Sequence, residues 1–179
     1  MKVLLDACVL FPTVLREILI GVARAGYYTP LWSDRILEEW ARAAARFGPA
    51  DEAIARGQIA LLRVEFPKAG VAPRPGVEAR LHLPDENDIH VLAAAISGHA
   101  DAICTFNAVD FPRNVLAAEG LTRRDPDGLL WELWSERPEG IETVVEAVRA
   151  EAERLSGVPQ PLRPLLKRAK LPRLGKALG

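Results

Sequence analysis

The sequence predicts an α/β fold built on a parallel sheet, and three observations carry that prediction. Short apolar runs alternate with amphipathic helical stretches as far as about residue 124, and such alternation places strands side by side with helices covering both faces. The stretch DENDIHVLAAAISGHA is apolar nearly all round after its first turn, which marks a buried helix. From about residue 125 onward, helical patterns continue with no further strand signal. The expected organisation is a sheet-bearing domain over residues 1–124 and a helical C-terminal extension over residues 125–179.

The individual elements follow in order. Lys2–Leu5 is a short apolar run that ends at an acid, Asp6, and reads as a buried strand. Pro12 opens TVLREILIGVARAG, a helix stopped by Gly26. Tyr27–Trp32 is a second strand, and Ser33 then caps the helix DRILEEWARAAARF, which Gly48-Pro49 breaks. Residues 51–63 form a third amphipathic helix. Pro67–Pro84 holds four prolines and two glycines and reads as a loop with one short strand near Val77–Leu83. The buried helix comes next, then a strand over Asp101–Thr105, a loop over Asn107–Phe111, a helix from Pro112 and a last strand over Gly120–Arg123.

Composition narrows the class. A formal net charge of -1 and a pI near 6.3 argue against a broadly cationic nucleic-acid binder, although an average charge says nothing about its distribution. Two cysteines, Cys8 and Cys104, are too few for a disulfide framework and read as reduced thiols. The N-terminal apolar run is interrupted by Asp6 and lacks a small-residue cleavage site, and no stretch approaches the length of a bilayer span. A cytoplasmic protein with no membrane partner is expected.

Three acids map to one edge of such a sheet, and a fourth lies within a helix. In open α/β sheets the ligand crevice lies beyond the carboxyl ends of the strands. Asp6 ends the first strand, Asp110 lies in the loop after the strand that ends at Thr105, and Asp88 sits in the first turn of the buried helix. Glu39 is inside the second helix beside Leu37 and Trp40. Carboxylates crowded into one crevice repel each other and take up protons unless a cation is present. A hard divalent ion removes that repulsion and supplies an activated water, so no His, Cys or Ser nucleophile is needed. Each acid also has a plainer reading. Asp85 and Asp88 have the spacing of a helix cap and a first-turn acid, Asp110 could cap the next helix, and only one of Glu38 and Glu39 can face inward.

The residues DACVL-F-P, WSDRILEEW and PDENDIHVLAAAI-GHADAICTFNAVDFP together resemble PIN-domain ribonucleases, in particular the VapC-like toxins of toxin–antitoxin pairs that carry a longer helical C-terminal extension. The resemblance is strongest over residues 1–45 and 84–130. It implies an α/β/α sandwich with a central parallel sheet and a Mg²⁺- or Mn²⁺-dependent endoribonuclease activity. It implies an RNA substrate, a cognate antitoxin as partner, and a homodimer formed through the early helix VLREILIGV, which could instead cover its own monomer. The family's four acids match Asp6, Glu39, Asp88 and Asp110, with Glu39 preferred to Glu38 because it stands six residues after Ser33. Asp85 is a further possible ligand. Thr105 supports the site, and Asn107 is expected to orient a bound water or a neighbouring carboxylate. Cys8 is a departure, because many members carry Asn there.

Two other functions stay open at the level of sequence. A catalytically silent RNA- or protein-binding module can share this fold. A phosphatase with Asp6 as nucleophile would want a second Asp where Cys8 stands. The tail also has two readings. From Arg154 to Gly179 there are seven Lys or Arg residues and no acid. Its leucines could dock a helix pair whose charges simply face water, or Lys167, Arg168, Lys170 and Arg173 could hold RNA or a partner.

Overall fold

Val3, Leu4 and Leu5 are wholly buried and make strand β1 (Lys2–Leu5), the inner strand expected of an uninterrupted apolar run. Strands β2 (Thr29–Leu31), β3 (Ala102–Cys104) and β4 (Thr122–Arg124) complete one sheet, all parallel, in the order β2-β1-β3-β4. Leu5 stands opposite Cys104, and Ile103 opposite Arg123. Parallel neighbours need long crossovers, which is why helices separate every pair of strands. The chain steps from β1 to β2 on one side and then returns to β3 on the other, so the order reverses between β1 and β3. That reversal is where an open parallel sheet opens a crevice beyond its strand ends.

The computed structural model describes all 179 residues, which divide into two units. One comprises Met1–Phe11 and Thr29–Arg124; the other comprises Pro12–Tyr28 and Asp125–Gly179. The first unit holds the sheet with helices α1 (Ala7–Leu10), α3 (Asp34–Ala45), α4 (Pro49–Glu65), α5 (Ile89–Ser97) and α6 (Arg113–Ala118) around it. The α/β class with a central parallel sheet is therefore as the sequence predicts. Ser33 caps α3 by accepting from the Ile36 N–H at 3.2 Å, and Ile36, Leu37, Trp40, Ala41 and Ala44 bury one face of that helix. Helix α5 buries every residue from His90 to Ala95, as its all-round apolarity requires. The expected strand at Val77–Leu83 is absent. A 3₁₀ turn occupies Glu78–Arg80, after Gly76 at φ 81°. The alternation of Val77, Ala79, Leu81 and Leu83 suggests a strand, yet Leu81 alone among them is buried and the segment pairs with no strand of the sheet.

The second unit is helical: α2 (Thr13–Arg24), α7 (Pro126–Glu136), α8 (Pro138–Ser156), α9 (Leu162–Arg168) and α10 (Pro172–Leu178). Helix α2 packs on α8, and Leu15, Ile18, Leu19 and Val22 are fully buried within the single chain. The Tyr27 hydroxyl donates to the Arg137 carbonyl at 2.8 Å, while the Arg137 guanidinium lies 3.9 Å from the Tyr27 ring centre. Leu165, Leu166, Leu171 and Leu174 are buried, and α10 packs on α9 and α7. Asp127 accepts the N–H groups of Arg173 and Leu174 at 2.8 and 2.9 Å, satisfying donors at the start of α10. No helix is long and apolar enough to cross a membrane.

Candidate metal centre

Asp6 leaves β1 directly into α1, whose first turn it caps by accepting the Ala7 N–H at 2.7 Å. Its own N–H donates to the Cys104 carbonyl on β3 at 3.1 Å, so the acid is fixed at the reversal between the two central strands. The buried Thr105 hydroxyl donates to Asp6 Oδ2 at 2.8 Å and accepts the Asn107 N–H at 3.0 Å. Burial raises the Asp6 carboxyl above its ordinary value, with the charge of Glu39 adding to it. The hydrogen bonds from Thr105, Cys8 and Ala7 work the other way.

Cys8 occupies the position at which the resemblance leads one to expect Asn, and it takes up a comparable polar role. Its Sγ donates to Asp6 Oδ2 at 3.4 Å, lies 3.4 Å from Thr105 Oγ1 and accepts the Phe106 N–H at 3.4 Å. Burial and then the Asp6 charge push the thiol up to about 12. It therefore stays protonated at neutral pH and serves as a donor to Asp6.

Asp85, Asp88 and Asp110 gather beside this network, with one carboxylate oxygen from each within 4.8 Å of the others. Asp85 also caps the 3₁₀ turn Glu86–Asp88 by accepting the Asn87 N–H at 2.9 Å, so capping and membership of the cluster coexist in one side chain. Asp110 is not a helix cap; Pro112 stands at that position of α6. The Asn107 amide donates to Asp88 Oδ2 at 3.1 Å. Asp88 is pushed up to about 6, first by burial and then by the charges of Asp6, Asp85, Asp110 and Glu39.

The paired glutamates of α3 point to different surroundings, as successive helical positions about 100° apart must. Glu38 faces Arg56 and Arg42, at 2.8 and 3.2 Å, and these cations hold its carboxyl down at about 2. Glu39 Oε1 lies 2.6 Å from Nε2 of buried His90, though the approach lacks hydrogen-bond geometry, and 3.9 Å from Arg35. Glu39 raises both Asp6 and Asp88 by its charge, while neither it nor Asp6 belongs to the tight group of three. Two neighbours of these acids escape sequence reading. His90 sits in an apolar helix and looks like a core residue. Arg123 lies on β4, where its guanidinium donates to the carbonyls of Ala108 and Phe111 at 2.7 and 2.9 Å.

The basic residues of the tail lie in the second unit. Lys167, Arg168 and Lys170 are exposed, and Arg168 donates to the Gln160 side chain at 2.8 Å. The Arg173 guanidinium stacks 3.5 Å from the Trp131 ring centre.

The donor set around Asp88 fits a hard divalent cation. It is oxygen-only, the carboxylates of Asp85, Asp88 and Asp110 are close enough to share one ion, and Asp88 is lifted first by burial and then by the charge of neighbouring acids, which an ion would offset. A family model described as the PIN domain matches residues 2–108, from β1 to the loop that carries Asn107. No curated protein and no solved structure gives a match. PIN domains are typically metal-dependent nucleases, and a cluster of acidic residues is present here. With more than half of its length matched, this chain belongs to the PIN-domain family.

Proposed function

We propose that this chain is a Mg²⁺- or Mn²⁺-dependent endoribonuclease that cleaves RNA phosphodiester bonds, acting as the VapC-like toxin of a toxin–antitoxin pair. The observation that most supports the reading is the crowding of Asp88, whose carboxyl is lifted to about 6 by burial and four neighbouring acids. In this reading Asp88, Asp110 and Asp6 hold the cation, joined by Glu39 and, through the group of three, Asp85. When bound, the cation would offset the carboxylate charge, activate a water and screen the scissile phosphate. Thr105 fixes the rotation of Asp6 by donating to Oδ2, and Asn107 fixes Asp88 in the same way. Neither donor changes charge, so both restrain the carboxylates without weakening their attraction for an ion.

The test is cleavage of RNA by the purified chain with Mg²⁺ or Mn²⁺, with and without chelator. Asp6→Asn and Asp88→Asn are expected to slow cleavage by about a hundredfold or more. Glu39→Gln is expected to impair cation binding and cleavage, while Glu38→Gln, whose carboxylate serves Arg56 and Arg42, changes little. Cleavage that persists in EDTA overturns the mechanism. Cation and RNA binding without cleavage would favour a silent binding module. The toxin role and an inhibitory partner rest on the VapC-like resemblance. They are tested by growth arrest on expression in the cytoplasm and its relief by the product of an adjacent reading frame.

A further inference from the structure

Asp110 sits in a stretch that no helix or strand holds. The loop from Thr105 to Pro112 leaves β3, turns at Ala108–Asp110, exposes Val109 at 80% and then buries Phe111 completely. At the turn, the Ala108 N–H donates to the Phe106 carbonyl at 3.0 Å. Asn107 is tied separately through Thr105 and Asp88, but nothing of that kind reaches Asp110 from within the loop. What brackets it is Arg123. One nitrogen of its guanidinium, reaching over from the neighbouring strand β4, donates to the Ala108 carbonyl at 2.7 Å and to the Phe111 carbonyl at 2.9 Å. These are the carbonyls two residues before and one residue after Asp110.

We infer that Arg123 is a positioning residue for Asp110, clamping both ends of the turn so that the carboxylate stays within the group formed with Asp85 and Asp88. The inference rests on the reading of Asp110 as a cation ligand. A guanidinium suits this work because it is permanently charged, carries several donors in a fixed plane and makes charge-assisted bonds to carbonyls. Without it the two carbonyls would turn to water and the loop would sample other conformations. Asp110 would then have to be ordered at the moment of cation binding, which lowers affinity. Both Asp110 and Arg123 lie beyond the residues that the PIN-domain model matches.

The experiment uses the full chain in four forms: unaltered, Arg123→Met, Asp110→Asn and the double variant. Methionine keeps an apolar stem while removing the donors. Amide exchange across residues 106–112 is measured without added metal, and Mn²⁺ affinity by titration calorimetry. Arg123→Met is expected to lose protection in that loop and to bind Mn²⁺ about tenfold more weakly. In the Asp110→Asn background it should cost nothing further, because a residue that acts only through Asp110 has nothing left to act on. Unchanged loop protection, unchanged affinity, or an equal fall in both backgrounds overturns the inference. An unaltered chain that binds no Mn²⁺, or an Asp110→Asn variant that binds as well as it, sinks the ligand reading itself. Normal responses there with a silent Arg123→Met sink only the clamp. Should Arg123→Met fail to fold, Arg123→Lys makes the same comparison. It keeps the charge but not the planar fork, and an intermediate loss of protection and affinity is expected.

Discussion

Burial and four acids lift Asp88 from its ordinary 3.8 to about 6, and this has a thermodynamic consequence. Between those two values the folded chain holds a proton on Asp88 that the unfolded chain has released. Stability rises with pH only where the unfolded state binds more protons, so in this window it must fall as pH rises. The Asp88 contribution is therefore least favourable above pH 6, where the carboxylate is charged and crowded. A bound cation would reverse that by favouring the charged, folded form. Thermal melts at pH 5 and pH 7, with and without Mg²⁺, are expected to show a larger stabilisation by Mg²⁺ at pH 7. In Asp88→Asn both the pH slope and the Mg²⁺ effect should shrink. Equal stabilisation at both pH values would mean that the cation binds elsewhere. Asp6, Asp88 and Asp110 are legible as candidates because their order along the chain places all three at one edge of the sheet; taken singly, an acid at a helix start or in a loop has ordinary structural reasons to be there. The choice of Glu39 over Glu38 needs the spacing from Ser33. His90 and Arg123 are not legible, since an imidazole in an apolar helix and an arginine on a strand have ordinary roles. Only the fold brings them against Glu39 and the Asp110 loop.

At the scale of elements, Gly21 offers a sharp case. It lies within α2, where glycine is about 1 kcal/mol worse than alanine, yet a Cβ there would come 2.6 Å from Val144 Cγ1 on α8. A β-branched side chain in a helix has one strongly preferred rotamer and moves aside poorly. Overpacking of this sort costs about 1–3 kcal/mol and should outweigh the gain in propensity. Gly21→Ala is expected to lower the melting temperature, and adding Val144→Ala should recover more than the two single effects predict. A stabilising Gly21→Ala would show that the helices part without strain. Patterns of this kind explain which elements can be read from sequence. Strands β1 and β3, the capped helix α3 and the buried helix α5 each carry a local signature: an apolar run, Ser33 before the helix, or apolarity on all sides. Helix α1 is a single turn without a repeat, capped by Asp6, and one turn is too short to show a period. The alternation at Val77–Leu83 mimics a strand because period-two patterning records which residues could share a face, not whether a partner strand is there. The pairing of α2 with α8 is equally invisible, for an amphipathic helix declares that it buries a face without naming what covers it.

Across the whole molecule, charge is unevenly spread. The formal net charge is -1, while residues 154–179 hold seven basic groups and no acid, so the remainder carries the excess of acid. A nuclease with an anionic centre needs cationic contacts elsewhere to hold a polyanion, and phosphate contacts supply most sequence-independent affinity. Leu165 and Leu166 of α9 and Leu174 of α10 are buried, so this basic segment is anchored within the second unit. Its cations Lys167, Arg168, Lys170 and Arg173 are not equivalent. All four are exposed, but the Arg173 guanidinium stacks on Trp131 and its backbone N–H donates to Asp127, which gives that residue a part in packing. Reversing Lys167, Arg168 and Lys170 to Glu while retaining Arg173 separates RNA contact from folding. If they contact RNA, affinity should fall, and the plot of log K against log salt should become shallower by about 2, at about 0.7 per phosphate contact on a single strand. Fluorescence anisotropy with a labelled single-stranded RNA over a salt series, in chelator so that nothing is cut, measures both quantities. Circular dichroism checks that the helices persist. An unchanged affinity and slope would leave α9 and α10 as a packed helix pair whose charges face water.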